Sequence, residues 1–310
     1  MRILAPILLS LSTLLSGPLL AKSYDLPKEN SKIVGQPTYY VVDKRENLQQ
    51  IADSLDVGFL GIHEANPSVD PFLPTIGSRL IVPDQLILPD VPREGIVINL
   101  AELRLYYFTK EKVYVFPVGI GRVGRETPLM ETYIIAKQAN PTWTPTASIR
   151  KEHLAKGDPL PAVVAAGPNN PLGLFKLRMA YGHGEYLIHG TNKNFGIGLR
   201  VSHGCIRLAA PNIEWLYHNI PLKTKVRIIN DPIKVSVEPD GSKWIEVHTP
   251  LSTEENTTQN HAVLTEKIKL FLKGKNINQK LVKNVLDRQA GLPIKISLST
   301  QQPKKIEMLF

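Results

Sequence analysis

Cysteine is nearly absent from this sequence, with one residue in 310. A single cysteine excludes an internal disulfide and any zinc site built from several cysteines. Long hydrophobic runs are absent too, because no stretch approaches the roughly 18 apolar residues that a membrane-spanning helix needs. Repeats of solenoid length are not visible. With 43% apolar and 21% charged residues, the composition is that of a globular protein and argues against general disorder, collagen and coiled coil.

Positive charge is concentrated at one end of the chain. The net charge is +9, and residues 261–310 hold ten Lys and Arg against three Asp and Glu. The rest of the chain is nearly neutral, which argues against a basic core that binds nucleic acid. A solvated helix face is the simpler explanation of the excess, and attraction to an anionic envelope polymer is the alternative.

The first 21 residues have the pattern of a secretory signal peptide. Arg2 supplies a positive start, and residues 3–15 are mostly apolar. Cleavage after Ala21 or Ser23 fits the small residues there. The apolar run is too short for a transmembrane anchor, and the absence of a nearby cysteine excludes a lipid anchor. We therefore expect an exported mature protein without a membrane anchor.

Periodicity divides the remaining chain into three predicted domains, which are residues 38–83, 95–231 and 232–310. The first has the order strand, helix, helix, strand, and Leu48, Ile51 and Ala52 lie on one face of its first helix. The second is mainly β, with one helix that starts at Pro211 and packs on a sheet or barrel. The third is a hairpin followed by a basic helical tail.

The segments around these domains are rich in proline and predict irregular structure. Residues 24–37 are typical of a polar leader, and residues 84–94 of a linker. Residues 139–173 predict a long ordered loop, which in a compact domain is usually a functional lid.

The residues around Cys205 indicate nucleophilic chemistry. A cysteine reacts as its thiolate, which needs a nearby base or positive charge at neutral pH. In an extended chain His203 and Arg207 share a face with Cys205, so we expect its pKa to lie below the roughly 8.5 of a free thiol. The amides of Gly204 and Cys205 are candidate oxyanion donors.

A second histidine, His189, follows a short apolar strand 16 residues before the cysteine. A cysteine, a histidine and a third orienting group are the general arrangement for acyl transfer. Either His203 or His189 could be the base, with His203 preferred from its spacing. One cysteine and no closely spaced histidine pair argue against a metal site, and no cofactor is expected.

These segments together resemble the L,D-transpeptidase (YkuD-like) catalytic domain. The resemblance rests on His189-Gly190-Thr191, on Ser202-His203-Gly204-Cys205-Ile206-Arg207, and on further matches such as Thr142-Trp143-Thr144-Pro145 and Pro168-Asn169-Asn170-Pro171. Residues 38–83 resemble a LysM domain, which implies binding of peptidoglycan glycans, although Arg45-Glu46 replaces the usual Gly-Asp. The whole is most similar to the ErfK/YbiS group of Gram-negative envelopes, which implies a periplasmic enzyme.

The resemblance implies a thioester mechanism on peptidoglycan stem peptides. Cys205 would attack the carbonyl at the L-centre of meso-diaminopimelate and release the terminal D-alanine. The catalytic set is then Cys205, His203, His189 and Gly204, and the substrate-binding set is Arg207, Ser202 and Thr191. Arg207 would hold a donor carboxylate through its planar guanidinium.

The acceptor amine stays open between two sources. A lysine at the C-terminus of an outer-membrane lipoprotein would give a wall anchor, which the ErfK/YbiS resemblance favours. The diaminopimelate of a second stem would give a 3–3 crosslink. Sortase-like transpeptidation is disfavoured because Arg207 follows Cys205 by only two residues. A non-catalytic peptidoglycan-binding protein would leave residues 202–207 without a role.

Overall fold

The computed structural model describes residues 21–28, 30–252, 261–274 and 276–298. The predicted signal peptide, residues 1–21, lies outside the described residues except for Ala21, which is buried. Residues 253–260 and 299–310 of the predicted tail also lie outside them. None of the helices within the described ranges is long and apolar enough to cross a membrane.

The described elements confirm a mainly β fold. The N-terminal part contains β1 (Ser23–Asp25), β2 (Ile33–Val34), β3 (Thr38–Val41), α1 (Leu48–Ser54), α2 (Phe59–Ala65), β4 (Arg79–Val82) and β5 (Leu86–Ile87). The central part contains β6 (Gly95–Asn99), β7 (Arg104–Phe108), β8 (Lys112–Pro117), β9 (Ile120–Gly121), β10 (Met130–Ala139), α3 (Ala147–Ala155), β11 (Phe175–Met179), β12 (Leu187–His189), β13 (Arg200–Ser202), β14 (Ile206–Arg207), α4 (Ala210–Asn219) and β15 (Lys225–Ile229). The C-terminal part contains β16 (Ile233–Val237), β17 (Lys243–Val247), α5 (Glu266–Leu272), α6 (Gln279–Arg288) and β18 (Ile294–Lys295).

A curled sheet of nine strands forms the centre of the molecule, in the order β1-β8-β7-β6-β15-β10-β11-β12-β14. β15 pairs in parallel with β6, and β12 pairs in parallel with β14. In β10, buried Met130, Thr132 and Ile134 alternate with exposed residues, as expected for a strand with one face on a core. The buried side chains of neighbouring strands join this face into one apolar cluster.

Helix α4 covers part of this core, as the sequence predicted. Pro211 lies in its first turn, where the missing N–H costs no hydrogen bond. Ile213 and Leu216 are fully buried against the sheet. The Trp215 ring packs on the Tyr114 ring of β8, with centroids 4.3 Å apart.

The N-terminal part contains the predicted order of strand, helix, helix and strand. β3 pairs with β4 in antiparallel fashion, and α1 and α2 lie between them in the chain. Asn47 caps α1, because its side chain accepts from the Gln50 amide while the Gln50 side chain accepts from the Asn47 amide. The similarity of this part to a LysM domain stays a prediction.

The predicted linker at residues 84–94 is wrong. Residues 86–88 are buried, and the Ile87 amide donates to Glu246 Oε2 at 2.6 Å. The Ile87 carbonyl accepts from Lys234. The polar leader predicted at residues 24–37 is wrong as well, because β1 pairs with β8 and β2 pairs with β5. Proline-rich composition alone did not reveal these buried contacts.

The loop predicted over residues 139–173 is wrong at its centre, where helix α3 lies. The helix has no buried residue, so it lacks the apolar stripe that would have indicated it. Thr146 caps its first turn. At the base of the segment, the fully buried Asn170 donates to the Pro141 carbonyl at 2.8 Å and ties the two ends together.

The C-terminal part confirms the predicted hairpin and the two tail helices. β16 and β17 form the hairpin, and β18 adds a third strand. Helices α5 and α6 pack on this small sheet through an apolar cluster of their own, which includes Ile245, Val247, Ile268, Leu272, Val282 and Val285.

A buried cluster of charges joins this C-terminal part to the central sheet. Lys234 Nζ lies 2.8 Å from Glu102 Oε2 and 3.1 Å from Glu246 Oε1. Arg104 Nη1 lies 3.0 Å from both carboxylates, and His248 Nε2 lies 2.8 Å from Glu246. Burial opposes ionisation of Glu246, yet Lys234 and His248 hold its pKa below the usual range. The carboxylates of Glu102 and Glu246 are therefore balanced by two basic side chains, those of Arg104 and Lys234.

Removing one partner from this cluster should destabilise the protein strongly. In Lys234→Ala, two buried carboxylates lose a cation, so we expect the free energy of unfolding to fall by about 3–5 kcal/mol. Lys269→Ala in α5 is the control, because its exposed pair with Glu266 contributes only about 0.2–0.5 kcal/mol. Urea unfolding checks both variants, and equal effects would contradict a special role for the buried cluster.

Candidate active site

A tight turn presents Cys205 at the end of the central sheet. β13 ends at Ser202, whose hydroxyl donates to the Cys205 carbonyl at 2.6 Å and accepts from the Gly204 amide at 3.1 Å. Gly204 has φ +104°, which a residue with a side chain rarely adopts. Thr127 Oγ1 donates to the Gly204 carbonyl at 3.0 Å and holds the turn from the other side.

The pairing of β12 with β14 places two predicted site residues beside Cys205. Ile188 lies opposite Ile206, and both are fully buried in the core. Because successive side chains alternate between faces, His189 and Arg207 point to the opposite face, where Cys205 precedes β14. Continued by one residue, the same alternation predicts that His189 and Cys205 are diagonal neighbours on one face of the sheet.

The Cys205 thiol is half-buried, and its hydrogen-bond partner is neither His189 nor His203. Its Sγ donates to the Glu185 carbonyl at 3.4 Å. Burial raises the pKa of Cys205, although the Leu187 amide and the Arg207 charge act in the opposite direction. The expectation of a pKa below that of a free thiol is therefore wrong for this state of the site, because desolvation outweighs the positive charge.

His189 is buried and neutral at physiological pH. Burial and the adjacent Arg207 lower its pKa to about 4. Its Nδ1 lies 2.6 Å from the Gly190 carbonyl, which can only accept, so Nδ1 carries the proton. The other nitrogen, Nε2, is then the unprotonated one and can accept a proton from a thiol.

His203 does not share an extended strand with Cys205, which corrects the spacing argument. The positive φ of Gly204 turns the chain between the two residues. The His203 ring contacts helix α3 instead, with Nε2 3.1 Å from Glu152 Oε2. Burial lowers the pKa of His203, while the bond to Glu152 acts in the opposite direction.

Glu152 is a residue of the site that sequence reasoning missed. Arg122 Nη2 donates to both of its carboxylate oxygens at 2.8 Å, and Arg125 Nη2 lies 3.4 Å away. Arg122 and His203 lower the pKa of Glu152 to about 2. This charge cluster holds α3 against the turn that contains His203 and Cys205. No sequence pattern indicated a role for Glu152, because single glutamates are common in exposed helices.

Backbone hydrogen bonds fix the position of Arg207, but one nitrogen of its side chain has no hydrogen-bond partner. Its amide and carbonyl pair with Gly119 at 2.8 and 2.9 Å. Its Nε is buried and has no hydrogen-bond partner. A buried donor without a partner is costly, so this guanidinium is a candidate to bind an anionic group of a ligand.

The remaining predicted residues shape loops in this structure. Thr191 Oγ1 donates to the Lys193 carbonyl at 2.8 Å and accepts from the Lys193 amide at 3.1 Å. Ser202 likewise uses its hydroxyl proton inside its own turn. The Gly204 amide is occupied by Ser202, which leaves the Cys205 amide as the candidate oxyanion donor.

One group of side chains has the composition of a metal site, away from Cys205. Ligand atoms of Glu102, Glu246 and His248 lie within 4.8 Å of one another. Lys234 Nζ, however, lies 2.8 and 3.1 Å from the two carboxylates, so a lysine already occupies the position of a cation. The donor set therefore does not fit a metal ion.

Two known domain families match this chain. Residues 93–228 match the L,D-transpeptidase catalytic domain, and residues 232–296 match the L,D-transpeptidase C-terminal domain.

Full-length relatives extend the match beyond these two regions. The chain is 48% identical over 287 residues to Probable L,D-transpeptidase ErfK/SrfK of Salmonella typhimurium, a match that covers 90% of this chain and 92% of that protein. It is 44% identical to Probable L,D-transpeptidase YbiS of Escherichia coli, over 89% of this chain and 92% of the relative. This extent of identity, together with the two domain matches, places the chain in the L,D-transpeptidase family, and it is an enzyme of that class.

Proposed function

We propose that this enzyme works in the periplasm on tetrapeptide stems of peptidoglycan and joins them to an amine through a thioester on Cys205. The observation that carries the proposal is the shared sheet face of Cys205, His189 and Arg207, set by the pairing of β12 with β14. Export is supported by the signal-peptide pattern of residues 1–21.

The first half of the reaction forms the thioester. The Cys205 sulfur attacks the carbonyl carbon at the L-centre of meso-diaminopimelate, and the thiol proton moves to a base. The S–C bond forms, the amide C–N bond breaks, and the leaving D-alanine amine takes the proton. The Cys205 amide is placed to stabilise the oxyanion of the tetrahedral intermediate.

We assign the base role to His189 instead of His203. His189 has an unprotonated Nε2, since its Nδ1 donates to the Gly190 carbonyl. The His203 ring is engaged by Glu152, which favours a positioning role for His203 at the contact between α3 and the catalytic turn. This assignment reverses the preference drawn from spacing alone.

The second half transfers the acyl group to an amine. The acceptor amine attacks the thioester carbon, the new C–N bond forms, the C–S bond breaks, and the thiolate recovers a proton. The segment of residues 139–173, held over the turn by Glu152, is suited to exclude water from this step.

For the acceptor we propose the side-chain amine of a lysine at the C-terminus of an outer-membrane lipoprotein. The support is the resemblance to the ErfK/YbiS group together with the LysM-like unit. That unit exposes Phe72, Leu73 and Ile76 on one loop, and apolar side chains on an exposed loop suit contact with a glycan strand. A second stem is the alternative acceptor, which would give a 3–3 crosslink.

Replacing the nucleophile should abolish the reaction without unfolding the protein. We expect Cys205→Ala to take up no carbapenem and to release D-alanine more than about a thousandfold more slowly than wild type. Intact-protein mass spectrometry detects the adduct, and thermal unfolding checks the fold. An adduct on the Ala variant would place the nucleophile elsewhere.

The pH dependence should report the neutral histidine. Since His189 must be unprotonated to act as a base, carbapenem acylation should stay level across neutral pH and fall on acidification, with a midpoint at about pH 4. Stopped-flow measurement from pH 3.5 to 9 tests this. His203→Gln is the matched control and should keep the same midpoint. A midpoint near about 6.5, the ordinary value for histidine, would argue against His189.

The acceptor is tested by direct competition. A tetrapeptide donor is offered with equal amounts of a peptide ending in lysine and of a second stem, and the products are separated by mass spectrometry. We expect at least about 80% of the product to carry lysine, a preference of roughly 1 kcal/mol. Dominance of diaminopimelate dimers would overturn lipoprotein anchoring and leave the transpeptidase class intact.

A further inference from the structure

Two cations flank His189 along a single row of the sheet. Lys176 of β11 lies opposite His189, and His189 lies opposite Arg207. Leu177, the neighbour of Lys176, is fully buried in the core, so the Lys176 side chain points to the same face as His189 and Arg207. Both charges act on the imidazole, because Lys176 and Arg207 each lower the pKa of His189.

Neither of these cations has an acidic partner among the described residues. Lys176 is half-buried and Arg207 has a buried, unpartnered Nε, and neither forms an ion pair with a described carboxylate. Other buried cations differ, since Arg104, Arg227 and Lys234 each have a carboxylate within 3.0 Å. Desolvating a cation without a partner is unfavourable, so the missing anions are expected on the ligand.

The donor stem supplies two carboxylates at different distances from the scissile bond. The terminal carboxylate of the leaving D-alanine lies within a few bonds of the attacked carbonyl. The D-centre carboxylate of diaminopimelate lies at the end of a three-methylene arm. Arg207 is two residues from Cys205, so it lies near the attacked carbonyl. Lys176 is at the far end of the same row, two strands or about 9–10 Å from Arg207. Arg207 therefore matches the carboxylate of the leaving D-alanine, and Lys176 matches the D-centre carboxylate of diaminopimelate.

We propose that Lys176 is a specificity-determining residue that binds the D-centre carboxylate of diaminopimelate, while Arg207 binds the terminal carboxylate of the leaving D-alanine. This inference rests on the proposed function and adds to it a preference among donors. Stems with a free D-centre carboxylate are good donors, and stems with an amide at that position are poor ones.

Arg178 provides a matched control on the same strand. It carries the same charge and points to the same face, but it lies opposite Leu187 instead of His189. Its side chain is exposed and packs beside Gly184. Arg178→Gln therefore removes one positive charge near the site and leaves Lys176 and Arg207, the two cations that flank His189, unchanged.

The experiment measures kcat/KM for D-alanine release from two tetrapeptide donors, one with a D-centre carboxylate and one with the amide. We expect wild type and Arg178→Gln to prefer the carboxylate by about tenfold or more. Lys176→Gln should treat both donors alike, mainly through a higher KM for the carboxylate donor, and Lys176→Arg should restore part of the preference. If Lys176→Gln does not fold, Lys176→Met keeps the aliphatic stem and serves instead.

Each outcome has a distinct meaning. Equal use of both donors by wild type, a preference that survives Lys176→Gln, or an equal loss in Arg178→Gln would overturn the assignment of Lys176. If wild type releases D-alanine from neither donor, the proposed function fails and not only this inference. Loss of the preference in both neutral Lys176 variants, with the preference retained in Arg178→Gln, is the supporting result.

Discussion

The site depends on one short stretch of parallel pairing. Only two residues of β12 pair with two of β14, yet their register decides which side chains share a face with Cys205. A slip of β14 by one residue would send Arg207 into the core and bring Ile206 to the face on which His189 lies. The buried isoleucines Ile188 and Ile206 therefore fix the face on which His189 and Arg207 lie.

The electrostatics of the site favour two neutral groups over an ion pair. Burial raises the pKa of Cys205, and burial together with Arg207 lowers that of His189. A positive charge that would stabilise a thiolate also penalises an imidazolium, so the surrounding cations act on the two groups in opposite ways. In the proposed mechanism, proton transfer would therefore accompany attack on the substrate, and the substrate's carboxylates would offset the cations.

Much of the fold and part of the candidate site could be predicted, because the sequence patterns that indicate them are local. Alternating strands, the helix at Pro211 and the residues around Cys205 carry their pattern within a few positions. Helix α3 was missed because it buries no residue, and its Glu152 acts only through contacts with distant side chains. Residues 84–94 were misjudged because their burial depends on a lysine and a glutamate far along the chain. The role of His203 depended on one backbone angle that spacing does not reveal.

The buried charges also join parts of the chain that are far apart in sequence. Arg104 meets Glu246 across 142 positions, and Glu102 meets Lys234 across 132. A chain delivered from its N-terminus exposes the first two groups long before their partners arrive, and closing such long loops is slow. Until the hairpin is present, Glu102 and Arg104 lack their partners Lys234 and Glu246. A chain cut short before residue 234 would therefore contain Cys205, His189 and His203 and still lack Lys234, Glu246 and His248, which complete the buried charge cluster.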